Sequence, residues 1–159
     1  SGASTEELVI SDQPTSAWYF GSTYSRKQQA QSFKAVGTQI TAVSVPLIRF
    51  GRPNFDIRVS IRTSRNGTSL ATAQINRAQV SSTDWRNPDW ITATFSTPAQ
   101  VTENSIYYLV IETLSYDSQN YYKIGYNGNN PYPDGVYFPD SSSSGSSALD
   151  MCTKITFSN

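Results

Sequence analysis

Histidine is absent from this 159-residue chain, and cysteine occurs once. The first absence removes Ser-His and Cys-His catalytic arrangements, imidazole metal sites and the commonest general base. The second removes an internal disulfide and any cysteine-rich zinc site; Cys152, in the last strand-like stretch, reads as a small core residue. Charge is scarce and balanced, 12 basic against 12 acidic residues. Such a surface lacks the field that draws nucleic acid or an anionic membrane, so no nucleic-acid partner is expected. No run nears the roughly 20 apolar residues of a membrane span, so no membrane insertion is expected either. The helix formers Ala, Leu, Glu and Lys are few, and no segment longer than a turn or two has a helical period.

What remains is rich in Ser, Thr and aromatics, with 10 Tyr and 3 Trp. Those residues favour pleated, half-buried surfaces. Residues 54–63 are the plainest example. Phe55, Ile57, Val59 and Ile61 alternate with Asp56, Arg58, Ser60 and Arg62. A period of two puts the apolar set on one face and the polar set on the other, giving one dry and one wet side. Ser105 to Thr113 is apolar on both faces and predicts a central, doubly covered strand. In 90–95, Trp90, Thr92 and Thr94 fall on one face and Ile91, Ala93 and Phe95 on the other, with Thr97-Pro98 expected to end the strand. Further strands are expected at 28–33, 40–50, 70–75, 120–126 and 151–157. Pro46 lies inside one of them and predicts an edge position or a bulge, because proline cannot donate to a ladder. Asn66-Gly67 predicts a type I′ hairpin turn with positive φ. That turn also accounts for the glycosylation-acceptor pattern Asn66-Gly67-Thr68. The serine run at 141–147 reads as an insertion, since an apolar strand follows it.

About nine or ten short strands separated by turn signals define an all-β chain: an antiparallel two-sheet β-sandwich of jelly-roll type. Residues 1–16 are expected to form an N-terminal arm or edge strand, and 17–159 a single sandwich domain. Ser1-Gly2 reads as a cloning remnant, so a leader or flanking domains are expected beyond it.

Several of these pieces combine in a recognisable order. Gln31-Ser32-Phe33, Ile40-Thr41-Ala42-Val43, the 54–63 strand and Gly67 to Ala71 come first. Trp90 to Phe95, Tyr107 to Ile111, Asn130 to Gly135 and Leu149 to Phe157 follow. This order resembles the jelly-roll modules of secreted and surface-anchored microbial proteins, which look like galactose-binding-type domains and carbohydrate-binding modules. The resemblance covers about residues 28–159. It implies non-catalytic binding of a glycan or polysaccharide, adhesion or display beside neighbouring domains, an extracellular or cell-surface location, and a structural calcium. Carboxylates placed to serve such an ion are Asp12, Asp134, Asp140 and Asp150, although no EF-hand spacing is present.

Sugar binding needs an aromatic platform with planar polar groups beside it. Trp85 and Trp90 flank Arg86, Asn87 and Asp89, while Tyr116, Tyr121 and Tyr132 lie near further Asp and Asn residues. Asp56, Arg58 and Arg62 project together from the wet face of 54–63. The candidate ligand-binding set is therefore Trp85, Trp90, Tyr116, Tyr121, Tyr132, Asp56, Arg58 and Arg62. Two plainer readings stand beside it: aromatics that plug sandwich edges, and a solvated face with ordinary cross-strand ion pairs. An alternative role is that of a structural or adhesive surface or virion domain making protein–protein contacts. An enzyme is not expected, because the few carboxylates are scattered over loops and give no paired-carboxylate arrangement.

Overall fold

A computed structural model describes residues 4–159; the Ser1-Gly2 pair lies outside them. The strands are β1 (Thr5–Ser11), β2 (Ser16–Phe20), β3 (Gln28–Lys34), β4 (Gln39–Phe50), β5 (Ile57–Arg62) and β6 (Ser69–Ile75). They continue as β7 (Asp89–Gln100), β8 (Ile106–Thr113), β9 (Tyr121–Asn127), β10 (Tyr137–Phe138), β11 (Asp150–Met151) and β12 (Thr153–Ser158). All pairings are antiparallel, and they make two sheets. One has seven strands, in the order β1-β12-β4-β9-β11, with β7 along β4 and β2 along β9. The other has five, β10-β3-β8-β5-β6. The chain is an all-β, two-sheet sandwich, as its alternation predicts.

The dry face of β5 does what its period requires. Ile57, Val59 and Ile61 join Leu109 and Ile111 of β8 in the core, opposite Val43, Val45, Leu47, Ile124 and Ile155 of the larger sheet. Each such side chain contributes about 1.5–3 kcal/mol by leaving water. The sheets are also joined by buried polar groups. Gln29 of β3 donates to the carbonyls of Trp18 and Tyr19, and Gln31 donates to Asp150 and accepts from Met151 N–H. Both glutamines are fully buried, so these bonds satisfy groups that would otherwise be costly.

Three local expectations are corrected. Pro46 is in neither an edge strand nor a bulge: β4 is central, and on one side its pairing passes from β12, registered as far as Ser44, to β9, registered from Leu47 onward. The missing N–H falls in that handover, where no ladder bond is lost. Pro98 does not end its strand, because β7 runs on to Gln100 beside β4 alone, with a register shift near Ile40. Neither Asn66 nor Gly67 has positive φ. Six residues separate Arg62 from its partner Ser69, too many for a two-residue turn, and Gly67 N–H instead closes on Ser64 O.

The wet face of β5 is also drier than its alternation suggests. Ser60 is fully buried, as are its outer-face neighbours Val110 and Ala30, and Arg62 is nearly so. Arg58 and Arg62, on either side of Ser60, close on Glu112, and a strap lies on the same face with Phe138 paired to Ala30. Arg65, in the β5–β6 loop, lays its guanidinium 4.1 Å from the Phe138 ring centroid and donates to the carbonyls of Asp140 and Ser143. Phe138 in turn meets Tyr108 at 6.0 Å. The front of the serine run is thus tied down over a sheet face. Val110 makes β8 the doubly covered strand expected.

Candidate functional site

Four loops meet at one end of the sandwich: 21–27, 51–56, 76–88 and 114–120, joining β2 to β3, β4 to β5, β6 to β7 and β8 to β9. Asp117 N–H donates to Gly21 O, Arg52 N–H to Asn120 Oδ1, and Arg49 N–H to Ser82 O. Gly51 has φ of +66°, and a Cβ there would stand 2.4 Å from both Gln119 O and Asn120 Oδ1. Only glycine allows both the left-handed backbone and that approach.

Asp56 knots two of the loops together. Its Oδ1 accepts from Arg77 N–H at 2.8 Å and Nε at 3.0 Å, and its Oδ2 from Gln74 at 2.6 Å. These bonds, the Arg77 backbone N–H foremost, hold its carboxyl below the usual range. Asp89 does the same for 81–82, accepting from Ser81 and Ser82 N–H at 2.7 and 2.9 Å, and its acidity rises chiefly through the Ser82 bond. Beneath them Tyr122 donates to Phe55 O, with its phenol pushed up to about 12 by burial. A cleft of about 330 Å³ opens here, lined by Asn54, Asp56, Arg58, Gln74, Arg77 and Leu114 among others.

Two aromatic groups frame this end. On the outer face of the larger sheet, Phe50 and Tyr121 are register partners whose rings stack at 4.9 Å and 22°. Tyr19 extends the row at 6.0 Å from Tyr121, and the Arg26 guanidinium covers Tyr19 at 4.8 Å. Phe50 is 47% exposed. On the loops, Tyr24 and Tyr116 meet edge to face at 6.1 Å, with the Lys27 ammonium 4.6 Å from the Tyr24 ring.

The structure therefore brings Asp56, Arg58, Tyr116, Tyr121 and the Trp85 loop to one end. Trp85 is capped by its neighbour Arg86 at 4.7 Å. Trp90 lies on the outer face of the larger sheet opposite Pro46, under the Lys154 ammonium at 4.8 Å. Arg58 and Arg62 both bind Glu112 Oε1, at 2.6 and 2.9 Å from Nη2. Arg62, held also by Arg65 O, belongs to the strap and not to this end. Tyr132 is elsewhere, packed against the core with its hydroxyl accepting from Lys34 N–H.

The four carboxylates named for calcium do not converge: among the described residues no group of three or more His, Cys, Asp or Glu side chains is placed to hold an ion. Asp150 accepts from Gln31 and Tyr132 N–H, and burial raises its carboxyl. Asp140 caps Ser142, while Asp12 and Asp134 are exposed.

Sequence reasoning missed Phe50, Tyr19, Tyr24, Leu114 and Arg77. Phe50 was findable: it ends a strand immediately before Gly51, two residues from Ile48 and hence on the same face. Arg77 was not, because its partner Asp56 is 21 residues away.

No family model matches the chain, and no curated protein matches it. Among solved structures it is similar to the mosquito-larvicidal Cry4Aa toxin from Bacillus thuringiensis, at 14% identity and a TM-score of 0.45. That likeness covers 87% of this chain but only 24% of the toxin's, so the chain spans about a quarter of the protein it matches. A likeness of that extent bears on neither function nor topology.

Proposed function

We propose that this domain is a non-catalytic carbohydrate-binding module of an extracellular or surface protein, taking glycan at the four-loop end. The observation that carries the reading is the Phe50–Tyr121 stack, partly open to water at the same end of the sandwich as a cleft lined by planar polar groups. A sugar ring lays its C–H face on such a platform, while its hydroxyls exchange hydrogen bonds with guanidinium, carboxamide and carboxylate groups. Asp56 is already committed to Arg77 and Gln74, and Arg58 to Glu112, so Asn54 and the remaining N–H groups of Arg58 and Arg77 are the available partners. Binding involves no covalent step, and a shallow, wet site of this kind gives affinities of about micromolar to millimolar.

The test is a glycan and polysaccharide screen on the folded chain, run with and without calcium. Phe50→Ala and Tyr121→Ala should abolish a hit without unfolding the protein. Binding that survives in both of these and in the Trp85, Trp90 and Tyr116 alanine variants would place the ligand on another surface. A hit lost on chelation would identify the metal that the family resemblance implies.

A second reading has its own observation. Tyr24, Leu114 and Tyr116 are 73%, 72% and 50% exposed, a cluster of apolar surface suited to a protein contact. Under it the domain is an adhesive or structural module. Sedimentation would then detect self-association that Leu114→Ser weakens, with no glycan bound.

A further inference from the structure

Next to the cleft already described lies a second, also of about 330 Å³, between residues 49–53 and 77–81. Its lining includes three guanidinium groups, Arg49, Arg52 and Arg77, over a floor of Pro53 and Val80. Arg77 is paired with Asp56 at 3.0 Å, whereas neither Arg49 nor Arg52 forms an ion pair among the described residues. The only other carboxylate bound to this rim is Asp89, which is occupied by Ser81 and Ser82. Three cations against two carboxylates leave the cleft positive in a chain whose net charge is zero. Arg49 is also held in place: its Nη1 donates to Gly51 O at 2.8 Å and its Nε to Ser81 O at 3.4 Å. A guanidinium fixed by backbone carbonyls presents its remaining N–H edge without further ordering, and that planar fork matches a carboxylate or sulfate.

From this arrangement we infer that the cleft seats the anionic group of an acidic glycan, a uronic-acid carboxylate or a sulfate ester. The inference rests on the carbohydrate-binding reading and narrows it to a ligand class. Phe50 stands between Arg49 and Gly51 in sequence, so the aromatic platform and the cationic cleft share a strand end. Consecutive strand residues leave on opposite faces, so a ligand stacked on Phe50 and Tyr121 reaches the cleft by passing round the end of β4.

Titrate the full chain with uronic-acid, sulfated and neutral oligosaccharides of equal length, at low and high salt. The acidic ligands should bind about tenfold tighter than the neutral ones at low salt, with the preference shrinking as salt screens it. Comparing the uronic-acid and sulfated series identifies which anion is preferred. Arg52→Gln, at an exposed position without side-chain partners, should remove about tenfold from acidic-glycan affinity and leave neutral-glycan affinity unchanged. Arg49→Lys keeps the charge, loses the fork and should weaken binding as well. Acidic and neutral glycans bound equally, or acidic binding untouched in the Arg49→Gln/Arg52→Gln double variant, would overturn the inference while sparing the carbohydrate reading. No glycan bound by the folded wild-type chain would overturn both.

Discussion

The two outer faces of this sandwich begin from similar sequence patterns and end differently. On the five-stranded sheet, Ser60, Val110 and Ala30 are fully buried on a face that carries the Arg58–Glu112–Arg62 cluster and Phe138 with Arg65 laid over it. On the seven-stranded sheet, the larger side chains Phe50, Tyr121 and Tyr19 form a row left partly open to solvent. For Ser60 against Phe50, polarity alone would predict the reverse. Exposure here is decided by whether another segment lies across the face. The partly open aromatic row is thus a part of the surface that folding itself does not explain.

The largest effect should come from the covered face. Glu112 neutralises Arg62, whose side chain is only 10% exposed, and Glu112 itself is 13% exposed. Glu112→Ala leaves a nearly buried guanidinium without a counter-charge and should destabilise the domain by about 3 kcal/mol in urea unfolding. If the loss is within error, that face is wetter than described.

Cutting the strap is the next step down. Arg65→Ala removes its contact with Phe138 and two hydrogen bonds to carbonyls. A loss of about 1–2 kcal/mol is expected. An Ala30→Cys thiol, beside Phe138 and unreactive with the strap intact, should become accessible to thiol reagents once Arg65 is replaced. Cys152 stays silent in that assay, because burial both hides it and pushes its thiol up to about 12.

The open face should respond in the opposite sense. Phe50→Ala should change stability by less than about 0.5 kcal/mol, as for other surface substitutions. Glycan affinity should fall by about tenfold or more, given the area that an aromatic platform contributes. A large stability loss with unchanged binding would turn the comparison round and make Phe50 a structural plug.

The smallest expected effect is a pH signature that separates regions. Asp56 and Asp89 at the four-loop end titrate below 3.8, their ordinary value. The stability they contribute is present above that value and is lost as pH falls through their folded values. Buried Asp150 titrates above it. Its contribution is full below 3.8 and is lost as pH rises through its folded value. Carbonyl-detected NMR titration should place the three midpoints on these two sides. Protection of the Arg77, Ser81 and Ser82 amides, which donate to these carboxylates, should fall in acid.

Much of the fold was legible in the residues. The alternation of Phe55 to Ile61 locates one core face, and the double-sided run at Tyr107 to Ile111 locates the central strand. Local pattern failed where a distant segment intervened. Nothing near Ser60 announces that it will be fully buried on the outer face. The β4 sequence does not reveal that its neighbour changes beside Pro46. Of the candidate site, Asp56, Arg58, Tyr116 and Tyr121 were readable as polar or aromatic residues in turns and strand ends. Their gathering at one end was not, because it depends on which loops the sheet order brings together. Tyr132 and Arg62 have the right chemistry, but their local sequence does not disclose the partners that occupy them.

The contact at Gly51 also has a kinetic meaning. With residues 51–56 wedged against 119–120, and Asp56 and Asp89 fastening the neighbouring turns, little at this end has to move when a ligand arrives. Association should therefore be a single concentration-dependent phase, within the ordinary range of about 10⁵–10⁷ M⁻¹s⁻¹ for rigid partners. No slow isomerisation should follow, and the residence time should be short.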